Sequence, residues 1–168
     1  MATTGPRLRR AEAGDAAALV RLRALMLQDM GRPAGGEDAA WRGVAEEWFA
    51  RRLRETREFA AFVVEDPDFG VISSAVGTCD RHAPDPVNLS GLHGHVSNIS
   101  TDERCRRRGH ARACLDALLA WFRDETEVRV VNLNATAHGM AMYRAAGFDP
   151  PRFPALQLRM GQAADRTG

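Results

Sequence analysis

The chain has 168 residues, 45% of them apolar and 27% charged, with a mean hydropathy of -0.33. A length in the range of roughly 100–200 residues fits one domain, and this composition leaves no membrane-like excess of hydrophobicity. The 23 basic residues are all arginine and face 22 acids, so the net charge of +1 excludes bulk attraction to nucleic acid or membrane, and any anion site must be local.

In chain order, Arg7 to Arg10 reads as a short strand. Asp15 is placed to cap a helix carrying Leu19, Leu22, Leu25 and Met26 on one face, which Gly31-Arg32-Pro33 stops. After a loop from Pro33 to Gly36, helical periodicity resumes from Glu37 to Arg57 with Trp41, Val44, Trp48 and Leu53 inward. Phe59 to Glu65 and Val71 to Asp80 are strands joined by the turn Asp66 to Gly70, an antiparallel hairpin. Ala83-Pro84-Asp85-Pro86 is turn chemistry, and Leu92 to Thr101 is a strand whose glycines and polar residues predict a bulge or a close ligand. Arg107 to Glu125 is the strongest helix, with Ala111, Cys114, Leu115, Leu118, Leu119 and Phe122 at helical spacing. Val128 to Ala135 follows as a strand and Gly139 to Ala146 as a short helix with Gly147 at a left-handed cap. Phe153 to Met160 is expected to form a last strand, and residues 161–168 a polar tail.

Cys79, Cys105 and Cys114 are odd in number and have no CxxC or Cys/His ligand spacing, which argues against a disulfide framework and a zinc site. No metal is expected, and a reducing cytoplasm is the default location. The segment Met1 to Leu8 lacks a signal-peptide apolar run, and no stretch of about 20 apolar residues offers a membrane span.

The segment from Asn98 to Ala111 carries the chemistry, a strand running through a loop into the strong helix. The unpaired N–H groups of a helix's first turn, aided by the helix dipole, attract an anion such as a diphosphate. Gly109 and Ala111 keep bulk away, so the backbone can approach phosphates closely.

At Arg106, Gly109 and Ala111 the sequence resembles the GNAT superfamily of N-acyltransferases, whose signature is Arg or Gln, two residues, Gly, one residue, then Gly or Ala. The element order resembles that family's as well, and Tyr143-Arg144-Ala145-Ala146-Gly147-Phe148 is similar to its closing tyrosine and Gly-Phe motif. The resemblance implies an α/β (α+β) domain over residues 1–160, with a mixed, mostly antiparallel sheet of six or seven strands flanked by helices and splayed at a coenzyme A cleft. It implies acetyl-CoA as co-substrate, its diphosphate on the amides of Arg107, Arg108, Gly109, His110, Ala111 and Arg112 behind Arg106. The pantetheine arm would lie along Ile99, Ser100 and Thr101, with Tyr143 protonating the leaving thiolate. The family's asparagine seven residues before the tyrosine is Thr136 here, with Asn134 two residues earlier as the alternative pantetheine contact, and a frequent loop proline is Glu103.

Other readings stand beside these. The run Arg106 to Arg108, alone, is a solvated basic turn or a nucleic-acid contact, and a P-loop is disfavoured because no Gly-Lys-Ser/Thr follows. His95, with His93 alternating beside it, is the candidate base for the incoming amine, against a plain reading as a surface histidine. Asp80, Glu65 and Asp102 are further base candidates whose plainer role is capping or turn formation. Trp41 and Trp48 share a helix face, and the resemblance implies that the first two helices and the loop between them shape the acceptor pocket, which places acceptor specificity at residues 28–48. The reading is direct acetyl transfer in a ternary complex to a small-molecule or protein amine, with no nucleic-acid or membrane partner and a homodimer left open. The competing class is a non-catalytic acyl-CoA-binding module.

Overall fold

The structure, a computed structural model, describes residues 5–160 and divides into two compact units between Thr136 and Ala137. The first unit is a five-stranded sheet in the order β1 (Arg7–Arg10), β2 (Phe59–Asp66), β3 (Gly70–Arg81), β4 (Leu92–Thr101), β5 (Val130–Leu133). Neighbours are antiparallel except β4 and β5, which run parallel. Three helices accompany it: α1 (Ala16–Asp29), α2 (Ala40–Arg52) and α3 (His110–Glu125).

The period-two pleat sorts the two faces. Phe59, Ala61 and Val63 of β2 and Val76 of β3 pack with Leu19 and Leu22 of α1 and with Phe49 and Leu53 beyond them. Ala60 pairs with Gly77, one step out of phase with the Ala61–Val76 pair, so these residues face the other side, where α3 lies. A Cβ added at Gly77 would stand 2.7 Å from Leu118 Cδ1 and 2.8 Å from Phe122 Cζ, and one at Gly94 would stand 2.8 Å from Phe122 Cε1. The two glycines thus make a flat seat for the Phe122 ring, which lets α3 pack closely on this face of the sheet. Burial of Leu115, Leu118 and Phe122 contributes about 1.5–3 kcal/mol each.

The second unit contains α4 (Met140–Ala145). Its end is a Schellman closure: Gly147 has φ +98°, its N–H donates to Arg144 O at 3.0 Å, and the Phe148 N–H donates to Tyr143 O at 3.0 Å. The Tyr143 and Phe148 rings meet edge-on at 6.2 Å, the hydrophobic contact that accompanies such a cap. The tyrosine-to-Gly-Phe spacing is therefore a local folding unit as well as a motif.

Several expectations shift. The sheet has five strands among the described residues, and Phe153 to Met160 forms none; Phe153, Leu156, Leu158 and Met160 are exposed. Alternation predicts a strand, but a strand needs a partner ladder to exist. Helix α2 spans Ala40–Arg52 rather than Glu37 to Arg57, and it turns Phe49 inward while Val44 is 69% exposed, because the helix faces α1 through a different stripe. Asp15 does not cap α1: its carboxylate accepts from Glu12 N at 2.8 Å within a 3-10 turn and is held by Arg9. The predicted tail at 161–168 lies outside the described residues.

Candidate active site

Strand β4 pairs with β3 along its whole length, but between Val96 and Ser100 the register slips. Val76 faces Ser97 and Ser74 faces Ser100, so Ala75 stands opposite both Asn98 and Ile99. This is the bulge the interrupted strand predicts. Asn98 adopts φ +52°, a region asparagine tolerates better than most side chains. Three contacts hold it there: Asn98 Nδ2 donates to Leu19 O at 3.2 Å, Ser74 Oγ donates to Asn98 O at 2.8 Å, and Arg23 Nη1 reaches Asn98 Oδ1 at 3.5 Å. Asn98 itself is 2% exposed.

On the other side of β4, pairing with β5 runs from His93↔Val130 to Val96↔Leu133 and stops, while β4 continues to Thr101. From Ser97 to Thr101 that edge has no strand beside it among the described residues. The sheet opens where the bulge turns the backbone, and Ile99 and Thr101 are half-buried along this edge while Ser100 is 7% exposed.

The loop after β4 is braced on both sides. Asp102 is buried, caps the 3-10 turn Glu103–Cys105 by accepting from Arg104 N at 3.1 Å, and takes bonds from the guanidinium of Arg104 at 2.9 and 2.8 Å and from Arg21 at 3.2 Å. These bonds, Arg104 first, hold its carboxyl far below the usual carboxylate range, so Asp102 is a fixed anion and a structural cap. Arg106 points back: its Nε donates to Thr101 O at 3.1 Å and its Nη2 to Asp29 Oδ2 at 2.7 Å. Arg112 is paired with Asp116 at 2.7 Å. Of the basic run, Arg107 and Arg108 are the exposed side chains with no bonded partner among the described residues.

Arg107 at φ +62° and Gly109 at φ +79° turn the chain into α3. Gly109 is the residue before the first turn and supplies no capping side chain, and the first backbone bond of the helix is Ala113 N to Gly109 O at 3.0 Å. The N–H groups of His110, Ala111 and Arg112 thus have no helical acceptor. Nothing lies within 4 Å of where a Gly109 Cβ would stand, and His110 Nε2 is buried without a partner. The helix mouth is open, polar and positively polarised, and it fits a diphosphate.

His95 pairs with Thr78, which pairs with Phe59, so its side chain shares the α1/α2 face of the sheet with Phe59 and with the Trp48 ring, 5.6 Å from Phe59. His95 also stands across from Asn132 of β5. The His93 ring instead meets that of His82, tilted, with centroids 4.4 Å apart. Asn134 and Thr136 follow β5 and are exposed. In the second unit Tyr143 is buried, 9% exposed, and burial raises its hydroxyl above the ordinary value. Glu65 is bound to Arg9 at 2.8 Å on the β1–β2 side, and Asp80 lies near the end of β3, across from His93.

A model of the acetyltransferase (GNAT) family matches residues 24–148. The chain belongs to the GNAT acetyltransferase family. No curated protein sequence matches it significantly. Among solved structures it is similar to a predicted acetyltransferase with acetyl-CoA from Clostridium acetobutylicum, at 22% identity and TM-score 0.78 over 92% of this chain and 96% of that one. It is similar, too, to a GCN5-related N-acetyltransferase from Ralstonia eutropha JMP134, at 22% identity and TM-score 0.77 over 92% and 99%. A glucosamine-6-phosphate N-acetyltransferase from Arabidopsis thaliana follows at 16% identity and TM-score 0.64 over 95% and 99%. Identities this low show the fold, and a shared fold does not carry an acceptor with it.

For a GNAT protein the structure brings together what the sequence singled out between Ile99 and Arg112: a bare strand edge, a braced loop and an uncapped helix mouth. The sequence reading missed that Asn98 clamps the bulge to α1. Its signal was a lone asparagine inside an otherwise strand-forming run, Val96 to Ile99, where asparagine is unfavourable unless the backbone leaves the ladder.

Proposed function

We propose that the protein is an acetyl-CoA-dependent N-acetyltransferase acting in the cytoplasm, which moves an acetyl group directly onto a primary amine within a ternary complex. The observation that carries this reading is the β4 edge, stripped of its β5 partner beyond Val96, leading through the braced loop to the open mouth of α3. The amides of Arg107 to Arg112 bind the diphosphate, Arg106 holds the loop shape, and the edge Ile99–Ser100–Thr101 hydrogen-bonds the pantetheine, with Asn134 or Thr136 at its far side.

The thioester supplies an activated acyl carbon. The chain's own part is to hold and move protons and to orient. An ammonium has no lone pair, so His95, on the face opposite α3, takes a proton from the incoming amine directly or through water. The amine nitrogen forms a bond to the carbonyl carbon as the carbon–sulfur bond breaks. A backbone N–H at the bulge faces the developing oxygen charge. Tyr143 gives its proton to the departing sulfur and is reprotonated by the second N–H proton, which the acylated nitrogen sheds to become an amide; its raised affinity for the proton keeps it in the acid form at neutral pH. The products are an N-acetyl amide and free coenzyme A thiol.

Isothermal titration with acetyl-CoA tests the reading. The natural protein is expected to bind, and the double variant Gly109→Glu, Ala111→Glu is expected to lose binding while its thermal melt stays cooperative. A folded natural protein that does not bind acetyl-CoA would sink the assignment.

A further inference from the structure

Helix α1 carries two arginines, Arg21 and Arg23, that meet very different fates. Arg21 is neutralised by Asp102 at 3.2 Å and also donates to Val71 O. Arg9 and Arg106, from neighbouring elements, are likewise matched to Asp15 and Asp29. Arg23 is not. It is half-buried, it has no acidic partner among the described residues, and its one hydrogen bond is the long 3.5 Å contact to Asn98 Oδ1 at the β4 bulge. Burial, and then the like charge of Arg32, destabilise its charged form, and Arg32 itself is exposed with no bonded side-chain partner among the described residues.

A guanidinium held partly out of water needs a matched anion, because desolvation without pairing is costly and arginine does not discharge at neutral pH. The acids that brace the adjoining loop are already paired: Asp102 with Arg104 and Arg21, and Asp29 with Arg106. The phosphates of the coenzyme are assigned to the mouth of α3, beyond Thr101, whereas Arg23 touches the bulge itself, where acyl transfer is placed. The unmatched charge therefore lies at the bulge, where the acetyltransferase reading puts the reacting nitrogen.

We propose that Arg23, assisted by Arg32, binds a carboxylate carried by the amine acceptor, so that the substrate is an amino acid and not a bare amine. The proposal rests on the N-acetyltransferase reading. In an α-amino acid the carboxylate sits two bonds from the nitrogen, so a carboxylate forked onto the guanidinium sets the amine over the bulge and toward His95. A polyamine or simple alkylamine would leave Arg23 unpaired and add repulsion from two arginines.

The test is thiol release from acetyl-CoA with the twenty common amino acids, each run beside the amine left by removing its carboxylate and beside its carboxamide. At least one amino acid is expected to be preferred over both counterparts by about 10-fold or more in kcat/KM, the range of a charge-assisted pair. Arg23→Gln is expected to abolish that preference while the KM for acetyl-CoA moves by less than about two-fold, and Arg23→Lys to restore part of it, with melts run on both variants. Amines or carboxamides used as well as amino acids would overturn the proposal, as would no amino acid being used by a protein that binds acetyl-CoA. A rise confined to the KM for acetyl-CoA would assign Arg23 to the coenzyme and overturn it too. Failure to bind acetyl-CoA at all is the separate failure of the acetyltransferase reading.

Discussion

Asn98 Nδ2 donates to Leu19 O across 3.2 Å, joining the bulged residue of β4 to the first turn of α1. The bulge is thus held by a side chain from the strand reaching a helix that folds 79 residues earlier in the chain. Asn98→Ala removes that bond, leaves Ala at a positive φ, and is expected to cost about 1–3 kcal/mol in urea unfolding. It is also expected to lower turnover more than the KM for acetyl-CoA, since the strand edge survives but its aim does not. Asn98→Gly, which relaxes φ but not the lost bond, should recover part of the stability and none of the turnover.

Phe122 sits where side chains at Gly77 and Gly94 would stand. Gly94→Val is expected to destabilise by about 1–3 kcal/mol through overpacking. Combining it with Phe122→Leu should give a total smaller than the sum of the two, and simple additivity in chemical denaturation would show that the ring and the glycine do not share the space.

Asp102 is depressed in the folded protein by its bonds to Arg104, so its contribution to stability is present above the ordinary carboxylate range and fades as pH falls below about 4. Asp102→Asn is expected to be less stable than the natural protein by about 2 kcal/mol at pH 7, a value kept modest because Arg104 is exposed. The gap should narrow as both are melted at successively lower pH. A gap that stays constant down to acid pH would show that the carboxylate's charge is not the cause.

Tyr143 is raised by burial, so its proton is retained across the neutral range and any loss of activity from its ionisation falls above pH 10. Tyr143→Phe is expected to lower kcat by about 100-fold with little change in the KM for acetyl-CoA. Unchanged turnover would reduce the tyrosine to the edge-on partner of Phe148 that closes α4.

His95→Gln is expected to reduce kcat with little change in the KM for acetyl-CoA, whereas His93→Gln, which loses its ring contact with His82, should leave kcat near the natural value. Equal losses in both variants would point to packing of the β4 face instead of proton transfer.

Much of this molecule is written locally. The limits of β1 and β4, the bulge in β4, the helix that begins near Gly109 and the Gly147 cap follow from neighbours in sequence: alternation, helical period, and glycines where the backbone turns left-handed. The resemblance at Arg106, Gly109, Ala111 and Tyr143 is of the same kind, since an anion-binding helix mouth is built from consecutive amides. What alternation could not supply was a partner for residues 153–160, and what helical spacing could not supply was which stripe of α2 turns inward. Only the tertiary structure decided that Asn98 clamps β4 to α1, that β5 leaves β4 after Val96, that Phe122 lies on Gly77 and Gly94, and that Arg23 meets no acid among the described residues. Those relations join residues far apart in the chain, and their energies depend on distance and burial in the folded state, which no pattern of adjacent residues encodes.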